Sequence, residues 1–164
     1  MAKRIRTAIV TFFIMKITSP AFHDGDPLPK HFAREHGNVS PPLAFSQLPP
    51  DTRSLALIMN DPDAPHGTFT HWIAYNLPAN TRELAENHVP SGTVLGKNDF
   101  GDLGYGGPRP PSGTHRYVFH AYALDAPLDL PPGVSVLEVE KALEGHVLEN
   151  AELVGRFSAA NPDR

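Results

Sequence analysis

Prolines and glycines limit the possible folds of this sequence more than any other feature. The chain has 18 prolines and 13 glycines among its 164 residues. Proline lacks a backbone donor and glycine loses much conformational freedom on folding, so both destabilise the interior of a helix. The runs between them are short and bounded by turn residues, which is typical of strands. The sequence therefore predicts a mainly β, antiparallel architecture and disfavours a helical bundle.

Three segments in the middle of the chain are predicted strands. Residues 54–60 (SLALIMN) are a short apolar run between turn signals, which indicates a strand buried on both faces. Residues 71–77 are the second strand, and residues 114–124 (THRYVFHAYAL) are the third, rich in aromatic and β-branched side chains. Residues 90–113 form a long loop with room for a short strand, and loops of this length are usually functional.

A helix is predicted near the C-terminus. Ser135 and Glu138 have the spacing of a capping box, in which each side chain binds the backbone N–H of the other residue. Apolar residues follow at helical spacing: Val136, Val139, Leu143 and Val147, with Gly145 as a candidate bend or stop. We therefore expect one or two C-terminal helices, then a final strand over residues 151–157 and a tail over residues 158–164.

Length, charge and composition exclude several classes of protein. A chain of this length forms one domain. The net charge of -4 argues against nucleic-acid binding, and no apolar run approaches the ~20 residues of a membrane-spanning helix. The absence of cysteine excludes disulfides, thiolate catalysis and cysteine-ligated zinc. It is also consistent with a reducing compartment, and we expect a cytoplasmic protein.

The first 14 residues have three interpretations. Their basic start and apolar run resemble a short signal peptide, but no small-x-small cleavage site follows. We interpret them as an uncleaved N-terminal extension that includes a strand. An alternative is that translation starts at Met15.

An acidic turn, residues 61–65 (DPDAP), precedes the second strand. Pro62 restricts its own backbone and holds Asp61 extended, so Asp61 and Asp63 are stiffly placed. The chain must reverse sharply here, which makes the bond between Ala64 and Pro65 a candidate for the cis form. From the residues alone, an Asx-turn around proline is the simpler explanation of both carboxylates.

The third strand presents a second group of polar side chains. Strand alternation places His115 and Tyr117 on one face and leaves Arg116 on the other, where it can form a structural ion pair. The rigid segment 107–114 (GPRPPSGT) leads into this strand. Stiff segments ahead of histidine-bearing strands suit a small preformed binding site.

Six segments together resemble bacterial members of the phosphatidylethanolamine-binding protein family, also called Raf-kinase-inhibitor-like proteins. They are SPAFHDGDPLP, NVSPPLAF, DPDAP, HWIAYNLP, GYGGPRPPSGTHRYVFHAYALD and GHVLENAELVG. The similarity covers residues 15–157, which we take as one domain. It implies an antiparallel β-sandwich with a small anion site at one end. Transferred by motif position, the implied ligand-binding residues are Asp61, Asp63, His71, Pro111, His115 and Tyr117.

The implied ligand is a phosphate-like group, including the phosphoethanolamine headgroup of a phospholipid. Imidazole titrates near pH 6.5, an adjacent carboxylate favours its cationic form, and a tyrosine adds a neutral donor. We expect the acidic turn to orient His71. Two features depart from the family: the extension before Met15, and Arg109 within the GPxPP motif, which would add a charge at the rim.

Other functions stay open beside this binding role. Two aspartates and two histidines could ligate a metal, and Asp, His and Ser112 could serve a hydrolase, although no G-x-S-x-G elbow occurs. Family members also inhibit kinases or proteases through loops near the site, but no partner is identified, and a homodimer stays open. We predict a binding protein and not an enzyme, without a cofactor, metal or catalytic residue. We interpret Trp72 as core, and we assign no site role to His66, His88, His120 and His146.

Overall fold

The computed structural model describes residues 14–160, and within them the strands form two sheets paired antiparallel. The smaller sheet has the order β1 (Lys16–Thr18), β2 (Leu43–Ser46), β5 (Glu83–Leu84). The larger sheet has the order β6 (Val94–Leu95), β4 (Phe69–Pro78), β3 (Ser54–Asp61), β7 (Thr114–Leu124), β8 (Val147–Ser158). The prediction of a mainly β, antiparallel fold is confirmed, and the predicted strands 54–60, 71–77, 114–124 and 151–157 each lie within an observed one.

The core lies on both faces of the larger sheet. Along β3, Leu55, Leu57 and Met59 belong to one buried cluster, whereas Ala56 and Ile58 belong to another. The first cluster is shared with the smaller sheet, and the second packs against the helix near the C-terminus. Because successive side chains of a strand point to opposite faces, a strand between two layers must be apolar throughout. Trp72 is buried in the first cluster, as predicted.

The described part of the chain contains one α-helix, α1 (Val136–Leu143), and a 3-10 turn at Lys30–Phe32. Ser135 caps α1, and the predicted capping box with Glu138 is present. The helix ends before Gly145, whose φ of 79° turns the chain back. The prediction that Val147 continues the helix is wrong, because Val147 starts β8, which pairs along all of β7.

The reversal from β3 to β4 corrects another prediction. The described residues contain no cis peptide bond, so the bond between Ala64 and Pro65 is trans. The Gly67 N–H donates to the Ala64 carbonyl at 3.3 Å, which places Pro65 at the second position of a β-turn. A trans proline suits that position, and the φ of 105° at Gly67 supplies the reversal that a cis bond would have provided.

The predictions for the N-terminal extension and the end of the tail fall mainly on residues 1–13 and 161–164, which lie outside the described residues. Between residues 14 and 160, no helix is both long and apolar enough to span a membrane.

Candidate functional site

Three strand ends meet at one end of the larger sheet. β3 finishes there at Asp61, while its antiparallel neighbours β4 and β7 begin there. The pairing of Asp61 with Phe69 brings the start of β4, and with it His71, to this end. The pairing of Asn60 with Val118 does the same for the start of β7. Sheet register therefore brings together side chains that are far apart in sequence.

A cavity of about 450 Å³ opens at this end of the sheet. That volume lies in the range of small-molecule sites, ~300–1,000 Å³. Four of the six predicted site residues line it: Asp61, His71, Pro111 and His115. The other lining residues are Ala64, Pro65, His66, Gly67, Thr68, Phe69, Asp99, Phe100 and Arg109.

His115 is held by Asp61. Its Nδ1 atom lies 2.6 Å from Asp61 Oδ2, and both side chains are buried. A carboxylate only accepts hydrogen bonds, so Nδ1 carries the proton and Nε2 is the nitrogen left for a ligand. The other carboxylate oxygen, Oδ1, accepts the backbone N–H of Asp63 at 2.8 Å. Asp61 therefore both caps the acidic turn and orients an imidazole.

His71 is held by a backbone carbonyl. Its Nδ1 atom lies 2.7 Å from the Gly106 oxygen, which can only accept, so Nδ1 again carries the proton. Burial lowers the pKa of His71 below its usual 6.5, against the opposing charges of Asp61 and Asp99. The prediction that the acidic turn orients His71 is wrong in its target. The turn orients His115, whereas the glycine-rich loop orients His71.

Asp63 lies outside the cavity. Its carboxylate makes a bidentate ion pair with Arg116, at 2.8 Å to Nη2 and 3.0 Å to Nε, and it also accepts the Arg116 backbone N–H at 2.9 Å. These bonds lower the pKa of Asp63 to about 2. The prediction that Asp63 lines one cavity with both histidines is wrong, because Arg116 on the opposite strand face draws it into a neighbouring depression, which it shares with His115 but not with His71.

Tyr117 lies behind the cavity wall. It is fully buried, and its ring packs edge-on against His71 with ring centroids 5.2 Å apart. Its hydroxyl has no hydrogen-bond partner among the described residues, although Asp61 and the Arg109 backbone are near. Burial raises the pKa of the phenol, so it stays neutral. The prediction that Tyr117 lines the cavity is therefore wrong, and Tyr117 instead packs against the His71 ring from behind.

The residues missed by sequence reasoning come mainly from the turn and the long loop. His66 and Phe69 flank the reversal, and Asp99 and Phe100 belong to the segment 90–113. Asp99 is held in place because its Oδ2 accepts the Thr70 N–H at 2.7 Å. The length of that segment suggested a function, but no motif distinguished Asp99 from the other loop carboxylates.

Metal ligation was the main chemical alternative. Within residues 14–160, no three histidine or acidic side chains are grouped so that they could hold a metal ion. Three of the four candidate metal ligands already bind another side chain. His115 binds Asp61, and Asp63 binds Arg116.

Comparisons with known proteins agree on one family. The model of the phosphatidylethanolamine-binding protein family matches residues 18–158. A UPF0098 protein of Methanothermobacter thermautotrophicus is 47% identical over 148 residues, covering 87% of this chain and 98% of the relative. A UPF0098 protein of Aquifex aeolicus is 45% identical over 151 residues, covering 88% of each.

Two crystal structures are similar throughout. A homologue of phosphatidylethanolamine-binding protein from Chlamydia trachomatis, CT736, superposes with a TM-score of 0.86 at 40% identity, covering 91% of this chain and 100% of that chain. YbcL of Escherichia coli, described as a new member of the mammalian phosphatidylethanolamine-binding protein family, superposes with a TM-score of 0.84 at 31% identity. The match covers 89% of this chain and 99% of YbcL.

Proposed function

The chain belongs to the phosphatidylethanolamine-binding protein family, and we propose that its cavity binds the phosphate group of a small ligand. One observation carries this proposal. Two buried imidazoles, His71 and His115, line the same cavity, and each has its Nδ1 atom bonded to a fixed acceptor. This arrangement leaves Nε2 as the ring nitrogen that can contact a ligand. Nε2 donates a hydrogen bond to an anion once it is protonated.

The surrounding groups suit a preformed site. Asp61 fixes His115 from behind, while Gly106 and the Tyr117 ring fix His71. Side chains already held in place lose little conformational freedom when a ligand binds. A protonated imidazole bonded to a phosphate oxygen forms a charge-assisted hydrogen bond, which is stronger than a neutral one.

We propose binding without catalysis. Ser112, the candidate nucleophile, lines a neighbouring depression together with Asp63, His115 and Arg116, and it does not line the cavity that contains His71. Regulation of a partner protein, a cytoplasmic location and a homodimer stay predictions. The loops around the cavity mouth are where we would expect a partner to contact the protein.

Calorimetric titration with sodium sulfate at pH 5.5 tests the proposal, because the charge of sulfate is constant across the titration range of histidine. The proteins are wild type, His71→Ala, His115→Ala and, as a control, His88→Ala, which changes an exposed residue outside the cavity. We expect each cavity variant to lose roughly 10- to 100-fold in affinity, the effect of one charge-assisted hydrogen bond. The control should match wild type. Equal affinities in all four proteins would show that the cavity is not an anion site.

A further inference from the structure

Arg109 is the one lysine or arginine among the described residues that line the cavity. Resting on the proposed function, we infer that Arg109 makes the cavity selective for phosphate monoesters, which carry two charges, over diesters, which carry one. The ligand class would then be a small monoester with an apolar substituent. Arg109 would contact the phosphate directly and would have to leave an ion pair to do so.

The charges around the cavity support this role. Asp61 and Asp99 both line it, so an entering dianion meets two carboxylates. Burial lowers the pKa of His71, which makes its positive charge scarce at neutral pH. An arginine stays protonated at any physiological pH. Arg109 therefore supplies the permanent positive charge of the cavity, and a guanidinium can bind two phosphate oxygens at once.

The backbone that carries Arg109 is held rigidly at the cavity mouth. The Gly107 N–H donates to Asn38 Oδ1 at 2.7 Å, and the Pro108 carbonyl accepts the Arg34 N–H at 3.1 Å. A Cβ on Gly107 would lie 2.1 Å from the Phe32 carbonyl oxygen, so the two segments are in direct contact. Prolines flank Arg109 on both sides. Only its side chain is left to move.

Glu35 competes for that side chain. Arg109 Nε lies 3.0 Å from Glu35 Oε1, and the two side chains are 59% and 63% exposed. Ion pairs this exposed contribute little, so a phosphate can replace the carboxylate at small cost. Removing the charge of Glu35 should therefore strengthen ligand binding, whereas removing that of Arg109 should weaken it.

The rest of the cavity suits an apolar substituent. Phe69 and Phe100 meet edge-on with ring centroids 4.7 Å apart, and Pro65 and Pro111 complete the apolar part of the wall. A phosphate group alone would leave these rings uncovered. Phenyl phosphate has both parts, and methyl phenyl phosphate keeps the same ring while losing one charge.

The experiment measures the dissociation constants of both probes at pH 7.5, where the monoester is mainly a dianion. The proteins are wild type, Arg109→Gln, Arg109→Lys and Glu35→Gln, with Arg53→Gln and Glu140→Gln as charge-matched controls on exposed residues outside the cavity. Thermal unfolding confirms that each variant is folded. We expect Arg109→Gln to weaken phenyl phosphate binding about tenfold and methyl phenyl phosphate binding much less.

Glu35→Gln should strengthen phenyl phosphate binding severalfold, Arg109→Lys should fall between wild type and Arg109→Gln, and both controls should match wild type. Equal preference for the monoester in wild type and Arg109→Gln would overturn the inference and leave the proposed function intact. If wild type bound neither these probes nor sulfate, the proposed function would fail and this inference with it.

Discussion

The carboxylate of Asp61 joins two parts of the site: Oδ2 lies 2.6 Å from His115 Nδ1, and Oδ1 accepts the Asp63 N–H at 2.8 Å. One side chain thereby fixes both the acidic turn and the imidazole of a strand 54 residues away in sequence. The sequence allows an Asx-turn or a binding site as alternatives, but Asp61 performs both tasks.

Substitutions of Asp61 should separate these two tasks. Asp61→Ala removes both hydrogen bonds and leaves a buried imidazole unpaired, so it should destabilise the fold by about 3 kcal/mol. Asp61→Asn keeps an oxygen for the turn and an amide that can pair with the other tautomer of His115, so the loss should be about 1 kcal/mol. Urea denaturation measures both values. Equal losses would show that the amide does not preserve the turn.

The burial of His71 should make stability depend on pH. Its folded-state pKa is lowered from 6.5, so the unfolded chain takes up a proton first as pH falls. The free energy of unfolding should therefore decrease as pH falls from 6.5 towards the folded-state pKa, and this contribution should be fully present above pH 6.5. The charges of Asp61 and Asp99 oppose the shift without reversing it.

Urea denaturation of wild type and His71→Gln between pH 5 and 7.5 checks this dependence. The difference between the two proteins isolates His71, because their other histidines are shared. Wild type should lose more stability on acidification than His71→Gln does. Parallel pH profiles would contradict the lowered pKa.

Much of the fold could be predicted because its strands follow a simple rule. A strand between two apolar layers is apolar on both faces, and residues 54–60 have that pattern. The capping box of Ser135 and Glu138 located the start of α1 to the residue. The helix end is harder to predict, because Val147 has helical spacing, whereas the chain turns at Gly145, which has a positive φ.

The site was predictable only where strand alternation or a motif marked it. His71 and His115 lie on strands, so register placed them. The motif assigns Asp63 to the site, but the structure pairs it with Arg116. That pairing could not be predicted, because contacts between side chains across loops leave no sequence pattern. Asp99 and His66 reach the cavity through turn geometry, which depends on backbone angles that residue types alone do not specify.

Asp63 should contribute to acid resistance. Its pKa of about 2 is below the usual 3.8, so its stabilising pair with Arg116 is fully present above pH 3.8 and lost as pH falls towards 2. Asp63→Asn should be slightly less stable than wild type at pH 7, and the difference should vanish near pH 2. The Arg116 and Asp63 side chains are 57% and 31% exposed, so salt should also reduce the difference. Thermal unfolding at several pH values and salt concentrations measures the stability difference between the two proteins. A difference that persisted at pH 2 would show that the carboxylate charge is not its source.

Sulfate binding should be coupled to proton uptake by His71. Because Nδ1 donates to Gly106, the neutral ring presents a lone pair at Nε2, which repels a sulfate oxygen that can only accept. Binding therefore favours the imidazolium and raises the pKa of His71 from its lowered value in the unliganded protein. Affinity should fall as pH rises between the pKa of the free protein and that of the complex. Calorimetry in buffers of different ionisation enthalpy counts the protons taken up.

His71→Gln replaces the ring with an amide donor that does not titrate, so its affinity should fall less steeply with pH. His88→Gln should keep the wild-type slope. Sulfate binding without proton uptake in the wild type would mean that the ligand does not meet His71 Nε2, because no neutral imidazole with this tautomer can donate to it.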